Sequence, residues 1–199
     1  MPIRSLVASV ALAALVAACS PASPPGMSAT LPGAPLPPDD PATRPYLLER
    51  VDDAAIAQIY ADGFMSLTLP QKVMAYHLYQ AAIAGRNIYY DQRHRYALEM
   101  REILEGILTH PAHVDAATLT EATRYTKLFW LNSGPYAHLT AQKFVLRTTP
   151  AALLAAAKAA LADGAQFDLA NTESLEVTLT RLEPMFFDPA FEPIVTNKN

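Results

Sequence analysis

Five histidines, one cysteine and scattered carboxylates are the chain's stock of groups able to hold a metal, activate water or attack a carbonyl. Two of the histidines fall close together in His110-Pro111-Ala112-His113. A zinc hydrolase typically presents two histidines one helical turn apart with a glutamate base between them, as in HExxH. Pro111 denies this pair a continuous helix, and no nearby carboxylate is placed as a third ligand. The pair therefore reads as solvent-facing punctuation at a helix end. His77 lies among apolar residues of a helical pattern and reads as a satisfied interior histidine. His94 stands in Asp91-Gln92-Arg93-His94-Arg95 and reads as a polar surface or network residue. His138 occupies the loop Asn132–Thr140 beside Tyr136, where side chains can face a cleft instead of a core.

Other chemistries find no constellation in the residues. There is no G-x-S-x-G elbow for a serine nucleophile. The seven glycines are scattered as caps and turns and build no phosphate loop. Asp39-Asp40 and Asp52-Asp53 are adjacent pairs, which do not face one another across a site. A formal net charge of -4 gives no basic footprint for nucleic acid, so no nucleic-acid partner is expected.

The elements that would position these groups read as helices. Leu47, Leu48, Val51, Ile56 and Ile59 form a helical stripe that Gly63 would end. Thr68 is placed as an N-cap with Pro70 in the first turn of the next helix. That helix carries Val73, Tyr76, Tyr79 and Ile83 around its circumference, so most of its faces should be covered. Gly85 would end or bend it, with Asn87 or Asp91 capping a helix that buries Tyr96, Met100, Ile103, Leu104 and Ile107. Arg95 with Glu99, and Arg101 with Glu105, are four apart and can pair on its exposed side.

Pro111 stops that run. A further helix starts near Asp115 or Thr118 and breaks at Asn132-Ser133-Gly134-Pro135. Ala141–Val145 reads as briefly extended. Thr149-Pro150 opens an alanine-rich helix closed by Gly164, and Glu173–Leu182 reads as a last helix before an irregular, Pro-punctuated tail. Period-2 alternation is not sustained, and the expected class is mainly α.

The N-terminal residues 1–18 read as an export signal: Arg4, an apolar stretch from Leu6 to Val16, and Val16-Ala17-Ala18 as a small-residue cleavage context. The apolar run is too short for a comfortable membrane span of about 20 residues. Cys19 follows directly, an arrangement that resembles the lipobox of bacterial lipoproteins. That resemblance implies lipidation at Cys19 and, with Ser20 behind it, a lipid-anchored protein on the periplasmic face of the outer membrane. An ordinary secretory signal with an incidental cysteine is the alternative. Residues 19–45 are rich in Pro and Ala and read as a disordered tether. Hydrophobic content of 51% owes much to alanine and the signal, and does not suggest further spans. Residues 46–199 are expected to be the folded part.

Four blocks then carry a family likeness: LTLPQKVMAYHLYQAAIAGR, GRNIYYDQRHRYALEMREILEGI, WLNSGPYAHLTAQKFVLRTTPAALLAAA and FDPAFEPIVTNKN. In order and spacing they resemble the N-terminal portion of the dipeptidyl peptidase III family of zinc metallopeptidases, from about Leu67 to Asn199. The resemblance implies the helical N-terminal part of a two-lobed exopeptidase that releases dipeptides from the N-terminus of short peptides. In that family one lobe carries zinc through HExxGH, and the other forms a wall of the peptide cleft. Asn132, Gly134, Tyr136, Lys143 and Phe144 match the family's loop pattern. By that likeness Asn132, Gly134, Tyr136, His138 and Leu139 are expected to contact substrate.

Leu139 stands where eukaryotic members carry an aromatic residue, and Pro135 and His138 also differ from them. The resemblance transfers no catalytic residue and no zinc ligand: HExxGH would lie beyond Asn199, and the portion is expected to be truncated and inactive alone. The expected partners are short peptides, once the zinc-bearing lobe is supplied, and a membrane through the lipid anchor. Without that lobe the folded part should expose an apolar surface. The alternative from a different class is a non-catalytic helical lipoprotein that binds a peptide or protein partner.

Overall fold

A computed structural model describes residues 43–169 and 173–195. The export signal, Cys19, the tether up to residue 42 and the last residues 196–199 lie outside the described residues. The chain divides into two units, Met1–Arg44 and Pro45–Asn199, and the elements below belong to the second. The described architecture is mainly α: a two-stranded hairpin, β1 (Leu47–Val51) and β2 (Ala54–Ala57), then a 3-10 turn at Asp62–Ser66 and five helices. These are α1 (Leu69–Arg93), α2 (Ala97–Thr109), α3 (Ala116–Asn132), α4 (Pro150–Ala162) and α5 (Leu175–Phe187).

The core lies where α2, α3, α4 and α5 meet. On α2 the spacing Met100, Ile103, Leu104, Ile107 puts four side chains on one face, and all four are fully buried. Tyr125 and Phe129 of α3 and Leu182, Met185 and Phe186 of α5 fill the space between them. Burying each such side chain stabilises the fold by about 1.5–3 kcal/mol. α4 contributes Leu153 and the buried alanines Ala156, Ala157 and Ala160, small enough to let its backbone approach its neighbours.

Local chemistry sets most helix starts. Thr68 caps α1, its backbone N–H and hydroxyl both donating to Gln71 Oε1 at 2.9 Å. The Asp115 carboxylate accepts from Thr118 N at 2.9 Å, and Thr149 Oγ1 accepts from Ala152 N at 3.1 Å. Caps of this kind contribute about 1 kcal/mol each by satisfying otherwise orphaned amides.

Several expectations from sequence are corrected. The stretch Leu47–Ala57 is an antiparallel hairpin, pairing Val51 with Ala54 and Arg50 with Ala55, not a helix. Asp52, at φ 51, turns the chain. Ionic contacts with distant residues then hold the hairpin on α3: Glu49 to Lys127 at 2.8 Å and Asp52 to Arg124 at 2.7 Å. Gly85 neither ends nor bends its helix, because α1 runs unbroken to Arg93; one glycine costs only about 1 kcal/mol against the surrounding helix formers. Arg95 does not pair with Glu99: Arg95 reaches Glu192, and Glu99 takes both Nη groups of Arg181 at 2.9 Å.

The last helix also outruns its expected end at Leu182. Met185 and Phe186 are fully buried, and their burial carries α5 through Pro184 to Phe187. Beyond it, Lys143 N donates to Pro193 O at 2.9 Å and Val195 N to Ala141 O at 3.1 Å, so residues 188–195 lie along the loop that follows α3. That loop holds only isolated bridges, Tyr136 to Lys143 and Gln142 to Ile194, in place of a strand over Ala141–Val145.

Helix α1 departs furthest from expectation. Only Tyr90 of its 25 residues is buried. Tyr76, Leu78, Tyr79 and Ile88 are each about 60% exposed. Its apolar residues do surround it, as the sequence indicates, but nothing among the described residues covers them. His77, expected in the interior, is exposed with them.

Candidate functional site

The two sequence segments with the strongest pattern meet at one corner. The last turn of α1 presents Arg93, whose Nη2 donates to Tyr136 O at 3.0 Å across the loop that follows α3. Gly134 sits against it with φ +146; a Cβ there would stand 3.2 Å from the Cβ of Arg93. The turn therefore needs glycine twice over, for its backbone angle and for the close approach. Ser133, at φ 51, ends α3 in the left-handed conformation, and Gly134 N donates to Phe129 O at 3.0 Å to close the helix.

The five residues expected to contact substrate take different roles. Asn132 spends its side chain inside the turn: Nδ2 donates to Leu128 O and Oδ1 accepts from His138 N, both at 2.8 Å. Gly134 sets the turn, as above. Tyr136 faces inward, only 1% exposed, and its hydroxyl donates to Glu192 O at 3.0 Å. Burial pushes its phenol up to about 12, so it stays a neutral donor. His138 and Leu139 are the two that reach solvent, Leu139 being fully exposed. They overhang a recess of about 290 Å³, between the hairpin turn at Asp52-Asp53 and the end of α3, floored by Leu128, Ala137 and Phe144.

Behind the loop lies a polar node that joins four segments. His94, in the α1–α2 elbow, places Nε2 at 2.6 Å from Glu192 Oε2, while its Nδ1 accepts from Tyr96 N at 3.2 Å. One neutral tautomer, protonated on Nε2, satisfies both contacts. Burial lowers the His94 pKa below its ordinary value, against the opposing pull of Glu192. Lys143 Nζ donates to Pro184 O at 3.1 Å and to Phe191 O, and lies over the Phe191 ring. Burial lowers the Lys143 pKa, with Asp188 and Glu192 opposing. His94 is thus the network residue the sequence suggests. Glu192 has no sequence signal: it stands in a Pro-rich tail, and its partner His94 is remote in the chain.

A second ionic cluster fixes the hairpin side of the recess. Arg124 donates to both Glu121 oxygens, to Asp52 Oδ2 at 2.7 Å and to Val145 O at 3.2 Å. Arg147 adds Nη2 to the same Asp52 oxygen at 2.8 Å. Glu121 is held below the usual carboxylate range: burial pushes it up, and the hydrogen bonds from Arg124 and Arg147 N outweigh that push.

The described residues do not fit a zinc ion. They include no group of three or more His, Cys, Asp or Glu side chains arranged to hold a metal. His110 turns its Nδ1 to the Thr109 hydroxyl at 3.0 Å, and His113 is exposed beyond Pro111. No helix among the described residues is long and apolar enough to cross a membrane. The arrangement offers an apolar-floored recess rimmed by Asp53, His138 and Leu139. No family model matches the chain, and no curated protein matches it.

Proposed function

We propose that residues 46–199 form the cleft-lining part of an exported dipeptidyl peptidase III-like exopeptidase, completed by a second lobe that carries the zinc. The observation that carries this reading is α1. Helices in proteins draw most of their stability from a packed apolar face. Tyr76, Tyr79 and Ile83 give α1 such a face, and Ile88 and Tyr89 extend the apolar surface around the helix, with nothing among the described residues against them. A second lobe seated there would complete the fold.

In this reading the 132–144 loop, pinned by Arg93 and Lys143, offers His138 and Leu139 to the peptide. The second lobe, not these residues, would hold the zinc, which would supply an activated water. This chain's residues bind and orient the peptide and exclude solvent. Lipidation at Cys19 would hold the protein at the periplasmic face of the outer membrane.

The test mixes the full chain with a zinc-bearing lobe from a bacterial member of that family. The reading expects a one-to-one complex in sedimentation and release of naphthylamine from a dipeptidyl-naphthylamide. A chain that ignores the lobe and unfolds cooperatively at high temperature as a monomer contradicts it. A second reading, a non-catalytic helical lipoprotein that binds a peptide or protein partner, draws on the same exposed apolar surface of α1. It expects no hydrolysis in any mixture.

A further inference from the structure

The recess beneath His138 and Leu139 has an electrostatic character of its own. Around it, Asp52 and Glu121 are matched by Arg124 and Arg147, and Glu49 by Lys127. Asp53, on the rim, remains. It is exposed, and among the described residues its carboxylate has no hydrogen-bond or ion-pair partner. Among the charged side chains that line the cavity, Asp53 is thus the one left without a counter-ion among the described residues. The floor is apolar, built from Leu128, Ala137 and Phe144, with Ala54 beside Asp53. Of the other polar side chains lining it, Asn132 is occupied within the turn and Thr140 Oγ1 accepts from Gln142 N, while the His138 imidazole stands at the rim. The volume of about 290 Å³ lies at the lower limit for small-ligand pockets, about 300 Å³.

We propose that this recess binds a primary ammonium group carried on a short branched alkyl group, the charge at Asp53 and the alkyl group on Leu128 and Phe144. Binding needs neither a second lobe nor a peptide cleft, so it stands apart from the function proposed above. A free alkylamine or the amino end of a peptide could present this chemistry. The fit is by charge complementarity and size: a neutral isostere loses the first, and a bare ammonium ion loses the second. Because Asp53 is exposed, its contribution is that of a surface ion pair, modest and weakened by salt.

The test is a two-dimensional amide NMR titration of the full chain with isobutylammonium chloride, in parallel with isobutanol, ammonium chloride and valinamide. Saturable shifts in the millimolar range, confined to Asp53, Ala54 and the 137–140 loop, are expected for isobutylammonium and weak or absent for isobutanol and ammonium. Asp53→Asn, whose side chain suits a turn equally well, should weaken binding about three- to fivefold. Asp163→Asn, on the far end of α4, should leave it unchanged. Valinamide binding as tightly as isobutylammonium assigns the site to peptide amino ends; much weaker valinamide binding assigns it to free amines. Equal binding of isobutanol, indifference to Asp53→Asn, or no saturable shift overturns the proposal.

Discussion

Nε2 of His94 stands 2.6 Å from Oε2 of Glu192, joining the α1–α2 elbow to a segment 98 residues further along the chain. Glu192 is held at φ 43, a left-handed conformation that a non-glycine residue keeps only when its surroundings over-determine it. Those surroundings are His94, Arg95 and the Tyr136 hydroxyl. Protonating His94 on Nδ1 would turn the acceptor of the Tyr96 amide into a donor. The folded state therefore favours neutral His94, in line with its lowered pKa.

The pH dependence follows in sign. His94 binds its proton less readily folded than unfolded, so its contribution is fully present above about pH 6.5 and is lost as pH falls through the lower folded value. Thermal unfolding between pH 8 and 5 should show that decline. In Glu192→Gln the carboxylate that opposes the burial effect is gone, and the His94 titration followed by NMR should move further to acid. A shift of that titration upward would contradict this account of the node.

Tyr125→Phe is expected to be neutral or stabilising by up to about 1 kcal/mol. The Tyr125 ring is fully buried among Phe129, Phe144 and Phe186, and its hydroxyl has no partner among the described residues. Removing the hydroxyl removes a desolvated donor and leaves the ring packing. Chemical denaturation of the two forms measures the difference.

Two glycine substitutions should act in opposite directions. An alanine at Gly85 meets nothing within 4 Å and sits in a helix interior, so Gly85→Ala should stabilise α1 by up to about 1 kcal/mol. Gly134→Ala meets Arg93 and a positive φ, and should destabilise by about 1–3 kcal/mol. Helical content and thermal midpoints of the two variants test the pair.

Arg124→Ala leaves Glu121 and Asp52 without their shared partner, and should cost about 2 kcal/mol, read from chemical denaturation. Its signature is local as well as global: amide exchange at Val51 and Ala54 should quicken by more than that at Met100 in the α2 core. Equal quickening everywhere would show that Arg124 does not act through the hairpin.

Sequence reading reached the features that are local. The caps at Thr68, Asp115 and Thr149, the stop before Pro111 and the buried face of α2 each arise from residues within a turn or two of one another. What escaped it depends on distance. Leu47, Leu48 and Val51 fit a helical stripe, yet the turn at Asp52 and the ionic contacts with Lys127, Arg124 and Arg147 hold them in a hairpin. Pro184 reads as a helix stop, yet the burial of Met185 and Phe186 carries the helix past it. At the candidate site the 132–140 loop was legible from its Asn-Ser-Gly-Pro break. Which side chains it turns outward was not, because that is set by Arg93 and Glu192. The apolar circumference of α1 was legible too, while its lack of cover is a property of the assembled fold.

The central claim is that the apolar face of α1 is an interface for a second lobe. Hydrogen–deuterium exchange of the full chain tests it most directly, alone and with the zinc-bearing lobe. Alone, amides from Val73 to Tyr89 should exchange far faster than those of Met100–Ile107; with the lobe they should become protected, with α2 unchanged. Protection of α1 equal to that of α2 in the chain alone, unaltered by the added lobe, would contradict the account.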